Sequence, residues 1–467
     1  MKYNEENLIL KTDSYKYSHF NIFVDNVENT FYYVEPRGGD YEEIVPFGLQ
    51  YYLKRFLTKP ITRFDIDEAE HLCKLHGVPF NKEGWQYILE THRGYLPLRI
   101  RAVPEGLPVP VKNVIMTVEA TDPKCFWLPG VMETLLLKVW YPTTVASRDR
   151  FMYKQILAAL EKSSDNPMAE IDFKLHAFGY RGVSSEESAG IGGAAELVHF
   201  KGTDTVAGLV FANQYYGTDV CGYSIPATEH SVICSFGKDH EIDAYKKFLQ
   251  VYAKPGAIIA CVSDTYDLWN CIEKFWCGEL KQMVIDSGAT VVVRPDSGHP
   301  PTVVLKTIQM LDRGYGHTIN SKGYKVLNNV RVIQGDGIDD HSLSEVIDAV
   351  VSNGYSMTNL ALGCGAGRVQ KLDRDTCKFA YKLSNVQVNG ENRAVCKDPV
   401  DDHGKKSKAG RLDLVRSPED NTYQTIVLKD GERGHPWSVM KTVYKNGKLL
   451  VEDNFEDIRA RAKREVK

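Results

Sequence analysis

Six side chains in this 467-residue sequence suit the handling of phosphate and sugar: Arg181, Arg294, His230, Asp264, Asp296 and Asp336. Arg181 and Arg294 carry planar guanidinium forks that match phosphate oxygens. Asp296 and Asp336 stand near Gly298, Gly335 and Gly337, where backbone can approach a ligand closely. Carboxylates in that setting suit sugar hydroxyls or a hydrated Mg²⁺. The run Gly363-Cys364-Gly365-Ala366-Gly367 offers backbone N–H groups that could cradle a phosphate. His230 lies at the end of a turn-rich run, residues 222–231, in which Pro226 resists strand and helix interiors. Thr228 or Ser231 could cap a helix over residues 232–252, and Asp264 could orient the His230 ring through one nitrogen, leaving the other free. A lone histidine is more often a satisfied loop residue, and a lone glycine-rich loop is more often a turn. Together the groups describe a pocket for a phosphorylated sugar with a second anionic group. The sequence has no G-x-x-x-x-G-K-[ST] run, so any ATP is not held as in the usual NTPases.

These groups need elements that aim them at one place. Short apolar strands predicted at residues 173–178, 258–262, 290–293, 330–333 and 360–362 each end in a Gly, Asp or Arg cluster. Helical patterns separate them, for example at residues 301–313 and 340–351. Alternating strands and helices imply a parallel sheet. Polar residues repeated at strand C-termini are where a (β/α) barrel builds its site. A doubly wound open sheet would instead gather its ligands at one switch point. The expectation is an α/β chain with a barrel-like (β/α) domain over residues 146–384. A β-rich α+β domain is expected from residues 1–145 together with 385–467. In the latter, Thr62 and Asp65 begin a helix that Gly77 ends, and Asn389-Gly390 and Asn446-Gly447 are hairpin signals.

Hydrophobic residues make up 43% and charged residues 25%, as in an ordinary globular chain. A formal net charge of -4 gives no reason to expect nucleic acid or an anionic membrane as partner. Residues 1–10 hold too short an apolar run for a signal peptide, and no run approaches a membrane span. The ten cysteines are scattered with no C-x-x-C pair, which fits reduced thiols and a cytoplasmic location. The early run Asp13-Ser14-Tyr15-Lys16-Tyr17-Ser18-His19 reads as a helix start capped by Asp13, or as an acid and an aromatic supplied to a site elsewhere. The basic run Lys405-Lys406-Ser407-Lys408 reads as a solvated loop or a polyphosphate contact.

The sequence resembles the type II phosphoribosyltransferases, in the branch that uses nicotinamide. The resemblance runs from Thr12 to about Arg411. It rests on ordered stretches: Thr12-Asp13-Ser14-Tyr15-Lys16, residues 174–185, Phe200-Lys201-Gly202-Thr203-Asp204-Thr205, residues 222–231, Arg294-Pro295-Asp296-Ser297-Gly298, residues 332–337, Gln370-Lys371-Leu372 and Lys397-Asp398-Pro399-Val400. It implies joining nicotinamide to 5-phosphoribosyl 1-pyrophosphate (PRPP), with Mg²⁺ required. It also implies ATP hydrolysis coupled through a phosphohistidine, which by position is His230, and a tight homodimer with shared active sites. The sister activity on nicotinate is the alternative, and a non-catalytic binding protein on the same fold is a third reading.

By the same resemblance, Phe178 and the Tyr15 of a partner chain sandwich the pyridine ring. Asp204 and Asp13 sit near the carboxamide, with Ser224 in the same substrate pocket. Arg181 contacts ring and phosphate, and Arg294 contacts phosphate. Asp296 and Asp336 resemble the ribose-binding acids, and His230, Asp264 and Asp296 the catalytic set. Gly335, Gly365 and the Ala366 amide cradle phosphate. Arg37, Arg374, Lys382, Lys397 and Lys405 form the phosphate and ATP side, with Glu133 nearby. The chain departs from the animal enzymes at Ala177, Cys364 and Ala380, positions that bear on ATP coupling more than on transfer.

Overall fold

A computed structural model describes residues 2–400 and 406–464. Six parallel strands lie side by side in the order Gly202–Thr203, Leu175–Ala177, Leu360–Cys364, Val330–Gln334, Thr290–Arg294 and Ile258–Val262. The turn-rich run joins the two edges of this sheet. Tyr223 bridges Gly202 and Ala227 bridges Ala260, both in parallel. The Tyr223 amide donates to the Lys201 carbonyl at 2.7 Å, and the Ala260 amide donates to the Pro226 carbonyl at 3.0 Å. Pro226 fits as a stave because its carbonyl, not its missing N–H, is the group used. Residues 223–227 thus close the ring, and the strands follow one another around it in chain order, as a (β/α) barrel requires.

Each strand turns alternate side chains to opposite faces. Ile259, Cys261, Val291, Val293, Val332 and Leu362 face outward and pack with helix residues such as Val304, Ile308, Val346 and Val350. Each such buried aliphatic side chain contributes about 1.5–3 kcal/mol. Ala260, Val292 and Ile333 face inward and form a small separate cluster with Phe178, Ile225 and Ala361. Alanines there leave space that large branched residues fill in closed barrels. A cavity of about 630 Å³ results.

The other main sheet is antiparallel and seven-stranded. Its order is Glu391–Ala394, Phe379–Val388, Val27–Pro36, Met116–Ala120, Leu98–Ala102, Lys441–Lys445 and Lys448–Leu449. N-terminal and C-terminal segments therefore share one sheet. Asn389-Gly390 and Asn446-Gly447 form its hairpin turns, each with both residues at positive φ. The Thr62–Asp65 capping box and the left-handed Gly77 bound the helix Arg63–His76 as the sequence indicates. Helix Trp140–Ser163 runs across residues 145 and 146, and strand Phe379–Val388 across 384 and 385, so each expected boundary falls within an element.

Two local expectations change. The helix expected over 232–252 is two helices, His230–Cys234 and Glu241–Tyr252, parted at Gly237 with φ 83°. Neither Thr228 nor Ser231 caps the first. Its cap position is Glu229, with no side-chain cap bond, and the Thr228 hydroxyl instead accepts from the Val262 amide at 2.9 Å. The helix Phe455–Arg464, absent from the sequence reading, packs Phe455, Ile458 and Ala462 into the larger core. Among the described residues no helix is long and apolar enough to cross a membrane.

Candidate active site

The C-terminal ends of the barrel strands meet at one mouth. The Asp204 amide donates to the Ala177 carbonyl at 3.0 Å, the Phe178 amide to Cys364 at 2.8 Å, and the Gly335 amide to Pro295 at 3.0 Å. Phe178 lies directly against the backbone of Gly363. A Cβ at Gly363 would stand 2.1 Å from the Phe178 ring, so only glycine admits this aromatic floor. Phe178, Asp204, Ser224 and Arg294 all line the lumen cavity. The Asp204 carboxylate accepts a hydrogen bond from the Ser224 hydroxyl.

His230 stands at the same mouth, half exposed. Its Nδ1 lies 3.0 Å from the Thr265 hydroxyl. Its Nε2 faces Asp264 at 3.7 Å and Asp296 at 3.5 Å, ion-pair range but longer than a hydrogen bond. The partner that fixes the ring is therefore Thr265, rather than the expected Asp264. Asp264 is committed elsewhere: its Oδ2 accepts from the Asp296 amide at 2.9 Å and the Ser297 hydroxyl at 2.6 Å. Its Oδ1 is buried without a hydrogen-bond partner. Asp296 reaches over Gly335, where a Cβ would stand 2.0 Å from Asp296 Oδ1. Arg294 donates to the Thr228 carbonyl at 3.0 Å, while its Nε is buried without a partner. Asp336 is exposed at the rim.

The glycine-rich run is held from below. Arg148 donates to the Gly367 carbonyl at 2.8 Å and the Lys371 carbonyl at 3.1 Å, and pairs with Asp340 at 3.1 Å. Buried Arg368 pairs with buried Asp149, its Nε 2.9 Å from Oδ1, and with Glu196 at 3.2 Å. Burial pushes the Glu196 carboxyl up to about 8, against the pull of Arg368. Gly182 lies against Ala366, where a Cβ would come within 2.2 Å of the Ala366 methyl. That contact brings exposed Arg181, in the turn Tyr180–Gly182, beside Gly365 and Ala366. The Cys364 thiol, on the same strand face as Leu362, donates to the Ile338 carbonyl in the outer layer and is buried.

The remaining expected residues gather elsewhere, around Glu133. Lys16 pairs with Glu133 at 2.6 Å, and Asp13 accepts from the Thr134 hydroxyl at 2.7 Å. Asp13 occupies the expected cap position but makes no side-chain cap bond. Tyr15 is 58% exposed and lines none of the barrel cavity. Burial lowers the Lys382 ammonium, Glu133 opposes that, and the charges of Arg37, Arg374 and Lys397 lower it further. Those four cations therefore share one neighbourhood. Arg37 is anchored by Glu35 at 2.9 Å, and its NH2 group is buried without a partner. Lys405 lies outside the described residues. The chain thus presents two half-sets, a barrel mouth and a basic, aromatic patch on the antiparallel sheet.

Sequence reasoning missed Thr265, the seat that Gly363 makes for Phe178, and the pair Arg148 and Arg368. Thr265 directly follows Asp264, and Gly363 opens the glycine run, so both had a local signal. The buried arginines had none, because their partners are distant in sequence. Gly363→Ala would drive a methyl group into the Phe178 ring. It is expected to displace the Phe178 ring and to weaken binding of a flat aromatic ligand at this mouth at least tenfold, with the melting temperature as control. Unchanged affinity would remove Phe178 from the site.

Two family models match the chain: the nicotinate phosphoribosyltransferase (NAPRTase) family over residues 173–448 and the nicotinamide phosphoribosyltransferase N-terminal domain over residues 7–100. The chain is 49% identical to a nicotinamide phosphoribosyltransferase of Xanthomonas campestris, over 98% of each chain. It is 31% identical to a nicotinamide phosphoribosyltransferase of Acinetobacter baylyi, over 96% of this chain and 95% of that one. Among solved structures, a nicotinate-nucleotide pyrophosphorylase from Pyrococcus furiosus shares the fold, with TM-score 0.60 at 18% identity, over 99% of this chain and 96% of that one.

Proposed function

The chain belongs to the nicotinate phosphoribosyltransferase family, within its nicotinamide phosphoribosyltransferase branch, and from that membership we propose that it joins nicotinamide to PRPP, giving nicotinamide mononucleotide and pyrophosphate. ATP hydrolysis is coupled to this transfer through a phosphohistidine at His230, and two chains share each site. The observation that carries the reading is one mouth holding an aromatic floor, an amide-accepting carboxylate and a phosphate-type arginine: Phe178, Asp204 and Arg294.

On this reading the pyridine ring stacks on Phe178, which Gly363 seats. The Asp204 carboxylate accepts from the carboxamide NH₂ and repels the carboxylate of nicotinate. Arg294, with Arg181 and the amides of Gly365 and Ala366, takes phosphate oxygens. Asp296 and Asp336 accept from ribose hydroxyls. Displacement at the ribosyl C1 builds positive charge on the sugar, so the chain's task is to align the ring nitrogen and stabilise the departing pyrophosphate.

Mg²⁺ fits the acids of this mouth. Asp264 and Asp296 supply hard oxygen, and Asp264 Oδ1 is a buried acceptor without a hydrogen-bond partner. Among the described residues, the ligand-type trio that comes together, His92, Asp122 and Cys125, lies outside the barrel cavity lining. An ion in the mouth would be held by one or two of these carboxylates, with water and substrate phosphates completing its shell, the usual Mg²⁺ arrangement. When bound it neutralises pyrophosphate charge.

Asp204→Ser tests base choice. Losing one charge-assisted hydrogen bond costs about 1.5–3 kcal/mol with nicotinamide. The ratio of kcat/KM for nicotinamide over nicotinate is expected to fall accordingly. An unchanged ratio would show that Asp204 does not read the amide.

A further inference from the structure

Three ionisable side chains meet beneath the glycine-rich run. Arg368, Asp149 and Glu196 are each at most 1% exposed. Arg368 sits in the short helix Gly367–Gln370, whose Val369 and Gln370 amides donate to the Ala366 carbonyl at 3.1 and 2.7 Å. Asp149 comes from helix Trp140–Ser163, and Glu196 ends helix Glu186–Glu196. The cluster thus ties the run that carries Gly365 and Ala366 to two longer helices.

Two carboxyls there face one guanidinium. Asp149 takes both edges of the fork: Arg368 Nε donates to Oδ1 at 2.9 Å and NH2 donates to Oδ2. Glu196 Oε1 lies 3.2 Å from the same Nε, in ion-pair range, yet neither Glu196 oxygen accepts a hydrogen bond. Nε carries one hydrogen, and Asp149 has it. A buried carboxylate without a hydrogen bond is costly, and such a group keeps its proton instead. Burial accordingly pushes the Glu196 carboxyl up to about 8, with Arg368 opposing and the Asp149 charge adding to the rise.

The other groups facing Glu196 are Tyr141, from helix Trp140–Ser163, and Cys364, from strand Leu360–Cys364. Burial raises both, the thiol to about 12, so both stay neutral where Glu196 titrates. Buried His199 is kept neutral by burial and by the charges of Arg150, Lys463, Arg459 and Arg368. With Glu196 neutral, the cluster of Arg368, Asp149 and Glu196 has no net charge. With Glu196 ionised, it carries one negative charge.

We propose that Glu196 is a positioning residue for the phosphate taken by the Gly365 and Ala366 amides, acting through Arg368. Neutral Glu196 leaves Arg368 to Asp149 and keeps the run in place. Ionised Glu196 competes for the Nε hydrogen, draws on the helix that carries Arg368, and sets an uncompensated negative charge beneath an anionic ligand. The inference rests on the proposed function, since it takes the phosphate of PRPP as that ligand.

Steady-state kinetics of the full chain at pH 7 and pH 9 test it, with the KM for PRPP and the KM for nicotinamide measured separately. A carboxyl raised to about 8 is mostly neutral at the lower pH and mostly ionised at the higher, so phosphate binding weakens on the alkaline side. The KM for PRPP is expected to rise roughly threefold or more, while the KM for nicotinamide moves less than about twofold. Glu196→Gln fixes the neutral form at nearly the same shape and is expected to flatten the PRPP profile, with circular dichroism checking its fold. Calorimetric titration of the unmodified chain with ribose 5-phosphate at the same two pH values is expected to show the same loss without turnover and without a variant. An equal PRPP KM or equal ribose 5-phosphate affinity at both pH values, an undiminished rise in folded Glu196→Gln, or a parallel rise in the nicotinamide KM would each overturn the inference and leave the proposed function standing. No mononucleotide from either base would overturn the proposed function, and this inference with it.

Discussion

His230→Ala is expected to abolish ATP hydrolysis, a loss of roughly 10³-fold or more, as removal of a nucleophile does. Thr265 lies at Nδ1, so on the proposed function Nε2, which faces Asp264 and Asp296, is the nitrogen left to attack. On that reading the two carboxylates would stabilise the cationic ring as it forms. Nicotinamide mononucleotide synthesis is expected to survive at a reduced rate, because the proposed transfer itself does not use the imidazole. Acid-labile ³²P from labelled ATP reads the step directly. Undiminished labelling in the variant would move the phosphorylated residue elsewhere.

The second large effect follows from the two half-sets. Tyr15 is exposed beside Glu133 and lines none of the barrel cavity, whereas Phe178 lines its mouth. In an isologous dimer each mouth would receive the partner subunit's Tyr15, stacked on the ring face opposite Phe178. Tyr15→Ala and His230→Ala are each expected to lose ATP-coupled synthesis. Co-expressed, they form mixed dimers in about half of random pairings, and one site in each mixed dimer is intact. Roughly a quarter of wild-type activity is then expected to return. With mixed dimers verified by differential tags, activity fixed at the level of the single variants would mean that Tyr15 serves its own chain.

The barrel was legible because strand ends repeat one chemistry. The spans 258–262, 290–293 and 330–333 agree with the observed strands to within a residue. The closing stave was not legible: residues 223–227 read as a turn, because Pro226 and Gly222 signal one and two isolated bridges leave no periodicity. The break at Gly237 was missed for a related reason, since apolar spacing continues across it while a single left-handed glycine ends the helix. Site chemistry was legible for groups whose type suffices, such as Arg294 and Asp296. It was not legible for the ring orienter, since Asp264 and Thr265 are neighbours in sequence and only their geometry divides the work. Arg148 and Arg368 hold the glycine-rich run through backbone carbonyls and buried acids that no local pattern records.

The most direct measurement is product formation from PRPP with ¹⁴C-nicotinamide and ¹⁴C-nicotinate in parallel, with and without ATP. The proposed function predicts nicotinamide mononucleotide as the main product, a rate increase on adding ATP, and a strong preference for nicotinamide set by Asp204. Preferential formation of nicotinate mononucleotide, or no mononucleotide from either base, would contradict it.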